Sequence, residues 1–329
     1  MAVMAGLRNS VHIQANNSPN ANMASQYGRS EDQKAVADEL RKQAKKEFLH
    51  ELSRQLHKFT ISLILDGKFY GTGTLVEIDG VKGILTAEHV IHNPEGTRFD
   101  NSESSRQILD IPVTIYGENF PANLPTPETA RFPVRGLRWY PEYRSDKIFG
   151  DWGPDMAFIP LDESLPQVGS LKAKKSFWIL NKDIAKRTNI NRGQHDFFSF
   201  VGAPDEWMKQ GEKSIDASRI NLLSSAAFCS PHYSYHRQGG FDFLDIHCGP
   251  DPLSEIPDEF SGVSGGGLWF IHIEKDVVPP HVPKYDFWLV GVAFLQVEKP
   301  GQPTMIRGHG PSSVYDKFLS ELRQNLALS

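Results

Sequence analysis

The chain has 329 residues, 35 basic and 40 acidic side chains and a formal net charge of −5. Its two cysteines exclude a disulfide framework, and its mild acidity argues against a generic nucleic-acid binder. Its longest apolar run, Phe287 to Leu295, is too short to cross a membrane. Such a length allows about two domains with cores that need no covalent staples. The first residues lack a basic region followed by a long apolar stretch, so no signal peptide is expected and the expected compartment is the cytoplasm.

Residues 1–29 are rich in Asn, Ser, Ala and Gly, with too little apolar surface to offset the entropy of ordering, and are expected to form a disordered tail. Ser30 with Gln33 reads as a capping box, and Val36, Leu40, Ala44, Phe48, Leu52 and Leu56 then recur at helical spacing. The segment 31–57 is therefore expected to be one amphipathic helix, packed on the body rather than on a membrane, because its basic and acidic residues nearly balance.

From Phe59 the pattern is that of strands: 59–65, 72–78 and 81–86, the last two joined by an Asp79-Gly80 hairpin turn. The stretch 92–150, rich in Pro, Gly and polar residues, predicts short strands at 112–116 and 132–138. Further strands are predicted at 155–161, 176–180, 197–202 and 288–296, and a closing helix over 313–326 with Val314, Phe318, Leu319 and Leu322 on its apolar side. Short strands without βαβ alternation imply barrels or a sandwich.

Three segments carry chemistry. In Gly262-Val263-Ser264-Gly265-Gly266-Gly267, glycine permits φ > 0 and close approach of a substrate, and successive backbone N–H groups can gather around an anion beside the serine hydroxyl. Acyl transfer needs that combination of nucleophile and oxyanion donors. In Leu85-Thr86-Ala87-Glu88-His89 a histidine follows the end of an apolar strand. Asp155 opens the apolar run Met156 to Leu161, where a part-buried carboxylate needs a partner, and an imidazole N–H suits it.

The order His89, Asp155, Ser264 is that of the chymotrypsin-type triad. With Leu85-Thr86-Ala87-Glu88-His89, Asp155-Met156-Ala157-Phe158-Ile159 and Gly262-Val263-Ser264-Gly265-Gly266, the sequence resembles the trypsin-like serine proteases over about 59–326. Gly71 to Leu75, Leu289 to Ala293 and Tyr315 to Leu322 are similar to further segments of that family.

The resemblance implies an all-β fold of two antiparallel six-stranded β-barrels, with the N-terminal helix at 30–58 and a C-terminal helix. The first barrel would span 59–165 with His89 and Asp155, and the second 166–329 with Ser264. It implies a serine endopeptidase in which Ser264 attacks, His89 moves the proton and Asp155 orients the ring. The N–H groups of Gly262 and Ser264 would form the oxyanion hole, and no metal or organic cofactor is needed. The partner is a protein or peptide substrate, with neither nucleic acid nor membrane, and the 31–57 helix is the candidate contact for a regulatory partner. The disulfide-free members with this serine turn look bacterial. A catalytically silent binding or scaffolding module is the alternative.

The chain also departs from the family pattern. Val263 stands where secreted members carry the aspartate that pairs with a newly cut N-terminus, so activation of that kind is not expected. Phe294 replaces a serine that bonds the catalytic aspartate, which leaves Asp151 open as an alternative acid. Asp258, six residues before Ser264, falls where trypsin-type members place a carboxylate that selects Arg or Lys, with Glu255 and Glu259 as alternatives; Phe294 and Gln296 would line the same specificity pocket. Cys229, His232, His236, His247 and Cys248 form a competing zinc-like set, but their spacing matches no common module, and free thiols are expected.

Overall fold

The computed structural model describes residues 30–65, 68–91, 108–112, 129–133, 138–139, 154–188, 190, 196–204, 226–248, 257, 259–274, 284–298 and 304–327. It is mostly antiparallel β with helices at both ends. Helix α1 spans Ser30–His57, as its spacing predicts, and buries Phe48, Leu52 and Leu56. The expected tail lies outside the described residues.

The first sheet contains β1 (Thr60–Leu65), β2 (Lys68–Ile78), β3 (Val81–Thr86), β4 (Ile108–Pro112), β5 (Thr129–Pro133), β6 (Arg138–Trp139) and β7 (Met156–Pro160), in the order β5-β4-β1-β2-β3-β7-β6. Asp79 and Gly80 take φ of 49° and 87°, so the hairpin turn has the twist that Asp-Gly supplies, and Ile78 faces Val81 across it. After α2 (Pro166–Lys174), the two-residue β8 (Trp178–Ile179) adds to β2 in parallel. The strands expected at 112–116 and 132–138 fall mostly outside the described residues, which show β4 ending at Pro112 and β5 ending at Pro133; the strand expected at 176–180 is the two-residue β8.

The second sheet follows α3 (Ile184–Thr188). It contains β9 (Phe197–Gly202), β10 (Ala226–Ser230), β11 (Tyr233–Gln238), β12 (Phe241–Cys248), β13 (Gly267–Ile273), β14 (Tyr285–Val297) and β15 (Thr304–His309), ordered β10-β9-β13-β14-β15-β12-β11. Among the described residues no ladder joins the ends of either path, so the expected pair of six-stranded barrels appears as an eight-stranded and a seven-stranded sheet. One reason for the higher strand count is local. Pro231 lacks an N–H to donate, and the run 226–238 is interrupted there into β10 and β11. The two ends of the second path are thus consecutive in the chain.

The closing helix begins as a π-helical turn, Ser312–Phe318, and continues as α4 (Leu319–Ala327). Its Val314, Phe318 and Leu322 join Leu52 and Leu56 of α1, Leu85 of the first sheet and Trp269 of the second in one buried cluster. The two sheets therefore share a core, which fixes the loops of one against the other. No described helix is long and apolar enough to cross a membrane.

Candidate active site

Strands β3 and β7 run antiparallel with Thr86 opposite Ala157. His89 lies three residues beyond Thr86 and Asp155 two residues before Ala157, so the register delivers both to one end of the pair. A single 3-10 turn, Glu88–Ile91, then aims the imidazole. Asp155 holds His89 at two points: Nδ1 lies 2.6 Å from one carboxylate oxygen, and the backbone N–H of His89 donates to the other at 3.0 Å. The carboxylate cannot donate once ionised, so Nδ1 carries the proton and Nε2 is left as an acceptor.

The ring side chain is 33% exposed and the carboxylate 6%. Packing around the imidazole disfavours its charged form, but the Asp155 charge and hydrogen bond outweigh this and hold His89 above its ordinary value. Burial likewise works against the Asp155 carboxylate. The His89 charge, side-chain bond and backbone N–H outweigh it and keep Asp155 below the ordinary carboxylate value.

Ser264 reaches this end of the first sheet on a turn clamped by β2. The N–H of Thr72 donates to the Ser264 carbonyl at 2.8 Å, and its hydroxyl donates to the Gly262 carbonyl at 2.8 Å. Thr86, at the end of β3, donates its own hydroxyl to the Thr72 carbonyl at 2.8 Å. Gly262 and Gly265 have φ of 89° and 85°, where a side chain is strained. A Cβ on Gly265 would also lie 1.9 Å from the Thr72 carbonyl and 2.0 Å from the Thr86 hydroxyl. A glycine here is therefore a condition for docking the serine turn against Thr72, Thr86 and Ala87.

Within the turn, the N–H groups of Val263, Gly265 and Gly266 donate to Phe260, Ala293 and Val263 carbonyls at 3.1, 2.7 and 2.9 Å. Those of Gly262 and Ser264 have no acceptor among the described residues, so both N–H groups expected at an oxyanion hole are free to bind. The Ser264 hydroxyl donates to the Phe294 carbonyl at 3.3 Å and makes no hydrogen bond to His89. Val263 is buried, packed into the second-sheet core with Phe260 and Leu268. An apolar side chain thus occupies the position at which the resemblance places an aspartate in secreted members.

Phe294 is 7% exposed. Its ring stacks on His309 at a centroid distance of 4.8 Å, rather than offering a donor to Asp155. Gln296 accepts the Phe260 N–H at 2.7 Å and donates to Glu298 at 2.7 Å, which ties β14 to the segment before the serine turn. Glu259 is exposed. Asp258, Glu255 and Asp151 lie outside the described residues.

The zinc-like set does not assemble. Cys229 lies 3.5 Å from the Ser199 hydroxyl, His236 stacks on Phe243, and burial pushes the Cys248 thiol up to about 12. Neither cysteine is in a disulfide, and among the described residues no three His, Cys, Asp or Glu come together as metal ligands.

Sequence reading misses the threonine pins and His309. Thr72 and Thr74 do carry a signal: residues two apart on a strand share a face, and both hydroxyls of Gly71-Thr72-Gly73-Thr74 meet the serine turn. His309 carries none, because its partner is a backbone N–H 154 residues away. Comparison of the chain with protein-family models and with curated proteins returns no match.

Proposed function

We propose that the chain is a serine endopeptidase of trypsin-like type. The observation that carries the reading is the two-point hydrogen bonding of His89 to Asp155, which leaves Nε2 as a base beside the Ser264 turn. The unpartnered N–H groups of Gly262 and Ser264 support it. In this reading the Ser264 oxygen attacks the scissile carbonyl while its proton passes to His89 Nε2. The oxyanion lies against the two N–H groups, the imidazolium protonates the leaving amine, and water then hydrolyses the acyl-enzyme with His89 again as base. The proposal includes closure of each sheet into a barrel, supported in the second by strands β10 and β11, which are path ends only two residues apart. It also includes Asp258 as the selector of Arg or Lys before the scissile bond.

A fluorophosphonate probe tests the activity. Ser264 should be the labelled residue by peptide mapping, and neither Ser264→Ala nor His89→Ala should label. A folded sample without label, or with label elsewhere, rejects the reading. Cleavage of a peptide library by wild type and Asp258→Ser reads the selector: an unchanged preference removes Asp258 from it.

The Ser264–Phe294 bond favours one other reading, a catalytically silent module, in which that rotamer is permanent. Absence of label with retained folding is its signature.

A further inference from the structure

His309 ends β15 and is fully buried. Its Nε2 accepts the backbone N–H of Asp155 at 3.1 Å. A ring nitrogen that accepts carries no proton, so the ring is neutral and its proton sits on Nδ1. That Nδ1 is buried with no partner among the described residues. Phe294, Phe243 and Phe241 surround the ring at centroid distances of 4.8, 5.4 and 5.8 Å. The charged groups that face it are the carboxylates of Asp155 and Asp242.

A buried N–H without a partner is costly. Phenylalanine would fill this aromatic box without that cost. What it could not do is accept the Asp155 N–H.

That bond has a particular place in the site. Both carboxylate oxygens of Asp155 are bound by His89, the group that Asp155 has to orient. Among the described residues the N–H bond to His309 is the one hydrogen bond on Asp155 that does not come from His89. It is therefore the anchor that stays in place when the imidazole moves or changes charge.

We propose that His309 is a positioning residue, which fixes the start of β7 through the Asp155 N–H so that the carboxylate meets His89. The proposal rests on the reading of His89, Asp155 and Ser264 as a hydrolytic site.

The test compares the full chain with His309→Gln, which offers an amide oxygen as acceptor, and His309→Phe, which does not. His309→Met serves as the second acceptor-free variant if the phenylalanine does not fold. Two readouts are taken on samples that unfold cooperatively: the rate of fluorophosphonate labelling against pH, and the titration midpoint of His89 by NMR. His309→Phe should label at least about tenfold more slowly, with the rate midpoint and the His89 titration both moved to lower pH. His309→Gln should stay within about threefold of wild type, with its midpoints unmoved. Wild-type rate and midpoints in a folded acceptor-free variant would overturn the proposal, as would an equal loss in the glutamine variant. If wild type fails to label while the His89 midpoint still moves in the acceptor-free variant, the protease reading fails and the positioning role stands.

Discussion

The Ser264 hydroxyl rests on the Phe294 carbonyl at 3.3 Å, turned from the imidazole that would activate it. In the proposed mechanism this hydroxyl must first turn to His89, and a side-chain rotation costs little beside the barrier to acylation. Ser264 and His89 should therefore act as one unit. Each alanine variant should lose at least about a thousandfold in peptide hydrolysis, and the double variant should lose no more than either alone. Steady-state hydrolysis of a labelled peptide checks this, and additive losses would contradict it.

Val263 makes the serine turn self-supporting. A Cβ at Gly202 would lie 2.9 Å from the Val263 Cα, a contact with backbone that cannot swing aside. Gly202→Ala should displace the turn and its two free N–H groups, lowering kcat by about 10- to 100-fold at nearly unchanged KM. Val263→Asp should bury a carboxylate among Phe260 and Leu268 and destabilise the fold by roughly 3 kcal/mol, read by denaturant titration. A Val263→Asp variant as stable as wild type would show that the turn accepts a charge.

The pH behaviour separates two histidines. Hydrolysis should rise as His89 loses its proton, with a midpoint above the ordinary imidazole value of 6.5, because Asp155 holds the ring's proton more tightly. Burial pushes His309 down to about 4 from 6.5. Between those values the unfolded chain binds the proton and the folded chain does not. Stability contributed by the neutral ring is therefore present above about 6.5 and falls as pH drops towards 4, by on the order of 3 kcal/mol. Denaturant midpoints from pH 7 to pH 4.5 measure it, and His309→Gln should flatten the slope.

Asp245 and Arg307 form a bidentate pair across β12 and β15, at 2.7 and 2.8 Å, with side chains 3% and 8% exposed. Removing the carboxylate alone leaves a guanidinium in a buried site. Asp245→Ala should cost about 3–5 kcal/mol, and Asp245→Leu combined with Arg307→Met should recover most of it. Thermal unfolding of the three chains distinguishes this from an additive loss.

The serine turn, the His89 segment and the Asp155 strand were legible in the sequence because each is local: a glycine run with one hydroxyl, a small-residue step after a strand, a carboxylate opening an apolar run. The Asp79-Gly80 hairpin was legible for the same reason. Strands β10 to β12 and β15 were not, because their pairing rather than their periodicity defines them; β11 reads Tyr-Ser-Tyr-His-Arg-Gln, and the register of Asp245 with Arg307 lies in β12 and β15, 62 residues apart. Phe294 was legible as a departure but not as a purpose. Its place in an aromatic box with His309 is visible only in the structure.

Helix α1 touches both halves of the site's framework. Lys175, beyond α2, donates to the His57 and Thr60 carbonyls at 2.9 Å each and so pins the end of α1 to the first sheet. Phe48, further back on the same helix, meets Phe197 of β9 at 6.2 Å and Tyr285 of β14 at 5.2 Å in the second. His89 stands at the end of one sheet and Ser264 on a turn leading into the other, so α1 works as a strut between them. A load that bent this helix would be felt as a change in the gap between Ser264 and His89, far from where it was applied.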